Sequence, residues 1–144
     1  MTSRAFSLAG LLRLRTLEQD QAAARLSSAN NRSQVLRSRQ SALRDQLTES
    51  PVEVNSTQAL RYAAIARASM AGMLADLHTL EEAQDAETDS AREAFSAARS
   101  RTVGLEKLQA RHHRAIADQD LAAEQTALDE IASGARHQMK ERSL

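Results

Sequence analysis

The chain contains no cysteine and no tryptophan, one proline and only four glycines in 144 residues. The lack of cysteine excludes disulfide bonds and thiol chemistry, and it fits a reducing compartment. The scarcity of proline and glycine together with a net charge of zero is unlike the composition of disordered chains. Nucleic-acid binding is not expected, because such proteins normally carry an excess of basic residues.

Large apolar side chains are also scarce. Leu, Ile, Val and Phe together number 27, whereas Ala alone numbers 28. A wide core cannot be built from so few large residues, and the composition favours long helices that pack closely through small side chains. Arg13 and Arg15 interrupt the apolar N-terminal run, and no stretch reaches 18 uninterrupted apolar residues. We therefore expect an all-α, cytoplasmic protein without a signal peptide or a membrane-spanning helix.

Pro51 predicts the turn of the chain, because its ring removes a backbone donor and disfavours helix at the preceding residue. The first helix is expected from a cap at Thr2 or Ser3 to Glu49. Asn55 reads as the N-cap of the second helix. The sequence predicts one domain, 1-144, with helix one at about 4-49, a hinge at 50-56, helix two at about 57-133 and a frayed tail at 134-144.

Both predicted helices carry a heptad repeat, so we expect an antiparallel coiled-coil hairpin whose second helix is longer than the first. The first seam consists of Leu8, Leu12, Arg15, Gln19, Ala22, Leu26, Ala29, Ser33, Leu36, Gln40, Leu43 and Leu47. The second seam consists of Ala63, Ala66, Met70, Met73, Leu77, Leu80, Gln84, Glu87, Ala91, Ala94, Ala98, Arg101, Leu105, Leu108, His112 and Ala115.

A single register sets the two seams against each other along their whole length. In this register Leu36 faces Met70, and Arg15 faces Ala91. Residues 1–50 carry eight Arg against four acidic residues, whereas 51–100 carry four against eight, so the two segments complement each other. We expect Arg25 and Arg32 to lie opposite Asp76.

Because helix one is shorter, this register leaves helix two unpaired beyond about residue 99. The overhang would be about 35 residues, or on the order of 50 Å. Its apolar stripe has no predicted cover within the chain, and such stripes usually indicate a partner. The residues expected to bind that partner are Arg101, Leu105, Leu108, Arg111, Leu121, Leu128 and Ile131, with the two arginines flanking the apolar positions.

Tyr62 and Ile65 lie off the seam, three residues apart, and so share one helix surface near the hinge. They are either ordinary surface hydrophobic residues or a second docking patch.

No motif predicts catalysis, a metal or a cofactor. Adjacent residues on a helix diverge by about 100°, so His112 and His113 do not converge on one metal ion. The acidic residues between Asp76 and Glu93 read as a solvated face opposite a basic helix. We expect the protein not to be an enzyme.

Both ends of the chain resemble the flagellar export protein FliJ family. The N-terminal run is Phe6-Ser7-Leu8-Ala9-Gly10-Leu11-Leu12-Arg13-Leu14-Arg15-Thr16-Leu17-Glu18, followed by Ala22. The C-terminal pattern is Arg101, Glu106-Lys107-Leu108, Arg111, Glu124 and Leu128-Asp129-Glu130-Ile131-Ala132.

This resemblance implies an adaptor stalk of the flagellar type III export apparatus, peripherally associated with the inner membrane. It implies three partners. The overhang would bind the hexameric export ATPase, and the patch of Tyr62 and Ile65 would bind the cytoplasmic domain of the export gate. Export chaperones are the third partner. The alternatives are the stalk of a non-flagellar secretion system, a generic coiled-coil scaffold whose overhangs pair, and an amphipathic protein lying on a lipid surface.

Overall fold

A computed structural model describes residues 4–49, 53 and 55–143. Helix α1 spans Ala9–Glu49, with 41 residues, and helix α2 spans Thr57–Arg142, with 86 residues. The two helices pack against each other in antiparallel directions, because Gln19 lies beside Arg99 and Arg37 beside Glu81. The predicted all-α hairpin with a longer second helix is therefore confirmed.

Helix α1 begins at Ala9 rather than near residue 4. The turn before it is closed by a hydrogen bond of 3.1 Å from the amide of Ala9 to the carbonyl oxygen of Phe6. The preceding residues contact α2 through their side chains: the Phe6 ring packs on His112, and Arg4 forms an ion pair with Asp120. These contacts replace the helical turn that the sequence predicts. The predicted cap at Thr2 or Ser3 lies outside the described residues.

The ends of the helices at the hinge agree with the sequence prediction. Helix α1 ends at Glu49, and α2 begins at Thr57. The N-cap is Ser56 rather than Asn55, because the Ser56 hydroxyl oxygen accepts a hydrogen bond of 3.1 Å from the amide of Ala59. Most of the predicted hinge, including Pro51, lies outside the described residues.

Helix α2 continues through Gly134 to Arg142, beyond the predicted end near residue 133. A glycine in a helix costs only about 1 kcal/mol relative to alanine, which does not end a long helix. Lys140 and Arg142 in the last turn also interact favourably with the negative end of the helix dipole.

The chain divides into two compact units. Among the described residues, unit 1 comprises 4–16 and 100–143, and unit 2 comprises 17–99. Because both units consist of segments of the same two helices, the single predicted domain stays a prediction.

In α1 the predicted seam is confirmed from Leu12 to Leu47, and Leu8, which precedes α1, is exposed. In unit 2, Ala29 and Ala91 are fully buried and Ser33 and Ala98 nearly so. These small side chains allow the helices to approach closely, which agrees with the alanine-rich composition.

In α2 the predicted seam is only partly correct. The confirmed positions, spaced seven apart, are Ala63, Met70, Leu77, Gln84, Ala91, Ala98, Leu105 and His112. Of the predicted positions between them, Glu87 and Ala94 are half-buried and the others are exposed. The inner face also contains Leu74, Glu81, Thr88, Phe95, Thr102, Gln109 and Ile116. The prediction followed the larger apolar residues Met73, Leu80 and Leu108. The close packing favours the smaller Thr88 and Thr102, which are 7% and 1% exposed.

The predicted register is wrong by about three helical turns. Arg15, expected opposite Ala91, accepts a hydrogen bond at its carbonyl oxygen from Thr102 within unit 1. Within unit 2, Gln19 accepts a hydrogen bond from Arg99, which also disagrees with the predicted register. The reason is that small residues recur throughout both seams, so apolar burial alone does not select one register.

Ion pairs across unit 2 follow the observed register. The guanidinium of Arg25 lies 2.9 Å from the Glu87 carboxylate, and that of Arg37 lies 3.4 Å from Glu81. The predicted charge complementarity between basic α1 and acidic α2 is thus present. The predicted position of Arg25 and Arg32 opposite Asp76 is not. Arg32 instead donates a hydrogen bond to the Ser28 hydroxyl.

Unit 1 covers part of the predicted overhang. Thr102 and Leu105 are buried, His112 is half-buried against Phe6 at a ring-centroid distance of 5.7 Å, and Asp120 pairs with Arg4 at 2.9 Å. The prediction that α2 is unpaired beyond residue 99 is therefore wrong, because it assumed the earlier register. From 117 to 143 every described residue is exposed.

Candidate functional site

The last part of α2 in unit 1 carries an open apolar stripe, which we call the C-terminal stripe: Leu121, Leu128 and Ile131. These side chains are 64%, 65% and 70% exposed, respectively. Positions 121, 128 and 131 are separated by seven and three residues, so they share one helix face. Three large apolar side chains thus project from a helix that no other described part of unit 1 covers.

The remaining residues of the predicted overhang site do not join this stripe. Leu105 is only 9% exposed and belongs to the core, so the expectation that it lacks a partner within the chain is wrong. Leu108 is 43% exposed, and Arg101 and Arg111 are exposed. Helical spacing places Arg101 and Leu108 about a quarter of a turn or more away from Leu121 and Leu128 around α2. The seven predicted residues therefore do not form one continuous surface.

Tyr62 and Ile65 are 64% and 65% exposed near the start of α2 in unit 2. Leu60, also more than half exposed, lies on the same short segment. The expected patch near the hinge therefore has free apolar surface.

One side of unit 2 carries a groove between α1 and α2 that the sequence does not predict. We call it the apolar groove. Met73 and Leu80, each 54% exposed, form its α2 wall with Asp76 between them. Its lining consists of Arg39, Ala42, Leu43, Gln46, Met73, Asp76, Leu77 and Leu80. An adjoining groove extends it past Arg39 to Val35, which is 50% exposed.

The other side of unit 2 is polar. Here a guanidinium nitrogen of Arg37 lies 3.5 Å from a carboxylate oxygen of Asp85, and one of Arg92 lies 3.1 Å from a carboxylate oxygen of Asp89. These four side chains line one groove together with Asn30 and Gln34. The charges on this side are satisfied within the chain. Unit 2 is therefore polar on this side, and its opposite side is apolar along residues 35–46 and 73–80, beyond which Arg25 pairs with Glu87.

The large apolar residues that form the apolar groove are evident in the sequence, but their heptad spacing predicts that they belong to the seam. Met73 and Leu80 were both predicted to be buried against α1, and the actual phase of α2 turns them outward. Thr88 and Thr102 are buried in the core and were not part of the predicted seam. The Thr88 hydroxyl donates to the carbonyl oxygen of Gln84 in its own helix.

No group of three metal-ligating side chains occurs among residues 4–49, 53 and 55–143. In the same part of the chain, neither helix has an apolar stretch sufficient to cross a membrane. No family model matches the sequence, and no curated protein or solved structure is significantly similar to it.

Proposed function

We propose that the chain is an adaptor stalk of the flagellar type III protein export apparatus and that its C-terminal stripe binds the export ATPase ring. The observation that carries the proposal is the free apolar surface of Leu121, Leu128 and Ile131 on a helix that continues to Arg142. The resemblance of both chain ends to the FliJ family supports the choice of partner.

The C-terminal stripe can supply a large part of the free energy that a specific complex needs. Burying one leucine or isoleucine side chain contributes about 1.5 to 3 kcal/mol, so three of them offset much of the cost of association. Arg136 lies close in sequence to the stripe and is exposed. In the proposed complex it orients the stalk by pairing with a carboxylate of the ring.

A truncation tests this proposal directly. A chain that ends at residue 120 keeps the contacts of Arg4 and Phe6 with α2 but lacks the C-terminal stripe. We expect it to remain helical by circular dichroism and to lose both co-purification with the ATPase and stimulation of ATP hydrolysis. A folded, truncated chain that still binds and stimulates the ATPase would contradict the proposal.

Point variants refine the test. Leu128→Asp with Ile131→Asp should weaken ATPase binding at least tenfold, because charges replace the two apolar contacts. The matched control is Leu14→Asp, which changes an apolar residue that is 50% exposed on α1 of the same unit. Equal loss of binding in both variants would count against the stripe as the docking element.

The patch of Tyr62 and Ile65 is proposed to bind the cytoplasmic domain of the export gate. Tyr62→Ala with Ile65→Ala should reduce gate binding while leaving ATPase stimulation intact, since the two surfaces lie on different units. Retention of gate binding by this variant would remove the patch from the proposal.

A further inference from the structure

We propose that two copies of this chain pair through the apolar groove of unit 2 to form a four-helix bundle. The two walls of the groove complement each other, as a two-fold symmetric interface requires. This inference does not depend on the proposed function, because it concerns a different surface and a different partner.

The first observation is the one-sided distribution of apolar surface. Val35, Met73 and Leu80 are each at least half exposed along one side of unit 2. On the other side, Arg37 pairs with Glu81 and Asp85, and Arg92 pairs with Asp89. A two-helix hairpin with one apolar side and one polar side is half of a four-helix bundle, whose core forms when two such sides meet.

The second observation is the pair of free charges in the groove. Arg39 on α1 and Asp76 on α2 both line it, and neither forms an ion pair or a hydrogen bond with any residue that the structure describes. Under a two-fold axis along the hairpin, α1 of one copy lies beside α2 of the other. Arg39 of each copy then meets Asp76 of the second copy, which gives two ion pairs.

Apolar side chains extend this match along the groove. Arg39, Ala42, Met73, Asp76 and Leu80 all line the groove. Val35 lies one helical turn before Arg39, in the groove that adjoins it. In the symmetric pair the exposed Val35, Met73 and Leu80 of one copy therefore pack against the groove of the other copy, with Arg39 and Asp76 beside them.

The mass of the full chain in solution tests the pairing. Sedimentation equilibrium over a range of concentrations should show the 15.8 kDa monomer converting to a species of twice that mass. Leu80→Glu should weaken the pairing at least tenfold, because it places two charges in the apolar interface. The matched control, Leu17→Glu, changes a residue of the same unit that is 56% exposed and lies outside the groove, and it should pair like the wild type.

Reversing the charges of Arg39 and Asp76 tests whether these two residues pair across the interface, which the apolar variants cannot show. Arg39→Asp and Asp76→Arg should each weaken pairing on the order of tenfold by placing like charges together, and the two changes combined should restore it. Circular dichroism checks that each variant is folded. A wild-type chain that remains monomeric up to high micromolar concentration would overturn the proposal. So would a dimer that Leu80→Glu leaves intact, or a double charge reversal that dissociates like the single ones.

Discussion

The hydroxyl of Thr102 on α2 donates a hydrogen bond of 3.1 Å to the carbonyl oxygen of Arg15 on α1, and Thr102 is the largest fully buried side chain among the described residues. The hydroxyl reaches the backbone of the other helix only because the two helices lie close together. The pair therefore reports both the register and the spacing of unit 1.

Replacing Thr102 tests this contact. Thr102→Val keeps the shape and removes the hydrogen bond, so we expect a loss of about 0.5 to 1.5 kcal/mol in the free energy of unfolding. Thermal unfolding followed by circular dichroism measures it. The control is Thr126→Val, where the lost hydroxyl is exposed and bonds only to Ala122 of its own helix, so its effect should be within about 0.5 kcal/mol. Equal effects at both positions would contradict the role of Thr102.

Small side chains at the seam of unit 2 should be intolerant of enlargement. Ala91 is fully buried, so Ala91→Leu forces the helices apart and should destabilise the protein by about 1 to 3 kcal/mol. Ala86→Leu introduces the same side chain at an exposed position of α2 and should have little effect. Urea unfolding of the two variants compares them directly, and similar midpoints would mean that the seam is not closely packed.

Paired cysteines distinguish the observed register from the one that the sequence predicts. Asn30 and Asp89 line the polar side of unit 2 together, so Asn30→Cys with Asp89→Cys should react with a short bis-maleimide to give an intramolecular cross-link. Asn30→Cys with His78→Cys should not cross-link, because His78 lies about three turns, or roughly 16 Å, from Asp89 toward the N-terminus of α2. Peptide mapping identifies the linked pair, and preferential linking of the second pair would support the predicted register.

Gly104 offers a stabilising change. A methyl group added there would meet no atom within 4 Å, and the glycine lies inside continuous helix. We expect Gly104→Ala to increase the free energy of unfolding by about 0.5 to 1 kcal/mol, since alanine loses less conformational freedom in a helix. Ala110→Gly, at an exposed position of the same helix, should lower it by a similar amount. A decrease in stability for Gly104→Ala would indicate a contact that requires glycine.

The sequence by itself determined what depends on local interactions. The scarcity of glycine and proline, the break near Pro51 and the heptad spacing of α1 correctly predicted two helices, the end at Glu49, the start at Thr57 and the buried face of the first helix. Each of these follows from neighbours within one or two turns, whose preferences are readable from residue type.

Tertiary structure alone decided the phase of α2, the register and therefore which surfaces remain open. A seam rich in alanine buries nearly the same apolar area when one helix slides by a turn, so burial does not separate the registers. The selection comes from a few specific contacts, such as Thr102 with Arg15, Gln84 with the backbone of Ala29, and Arg25 with Glu87. These contacts require a particular distance between helices, and sequence spacing within one helix carries no information about that distance.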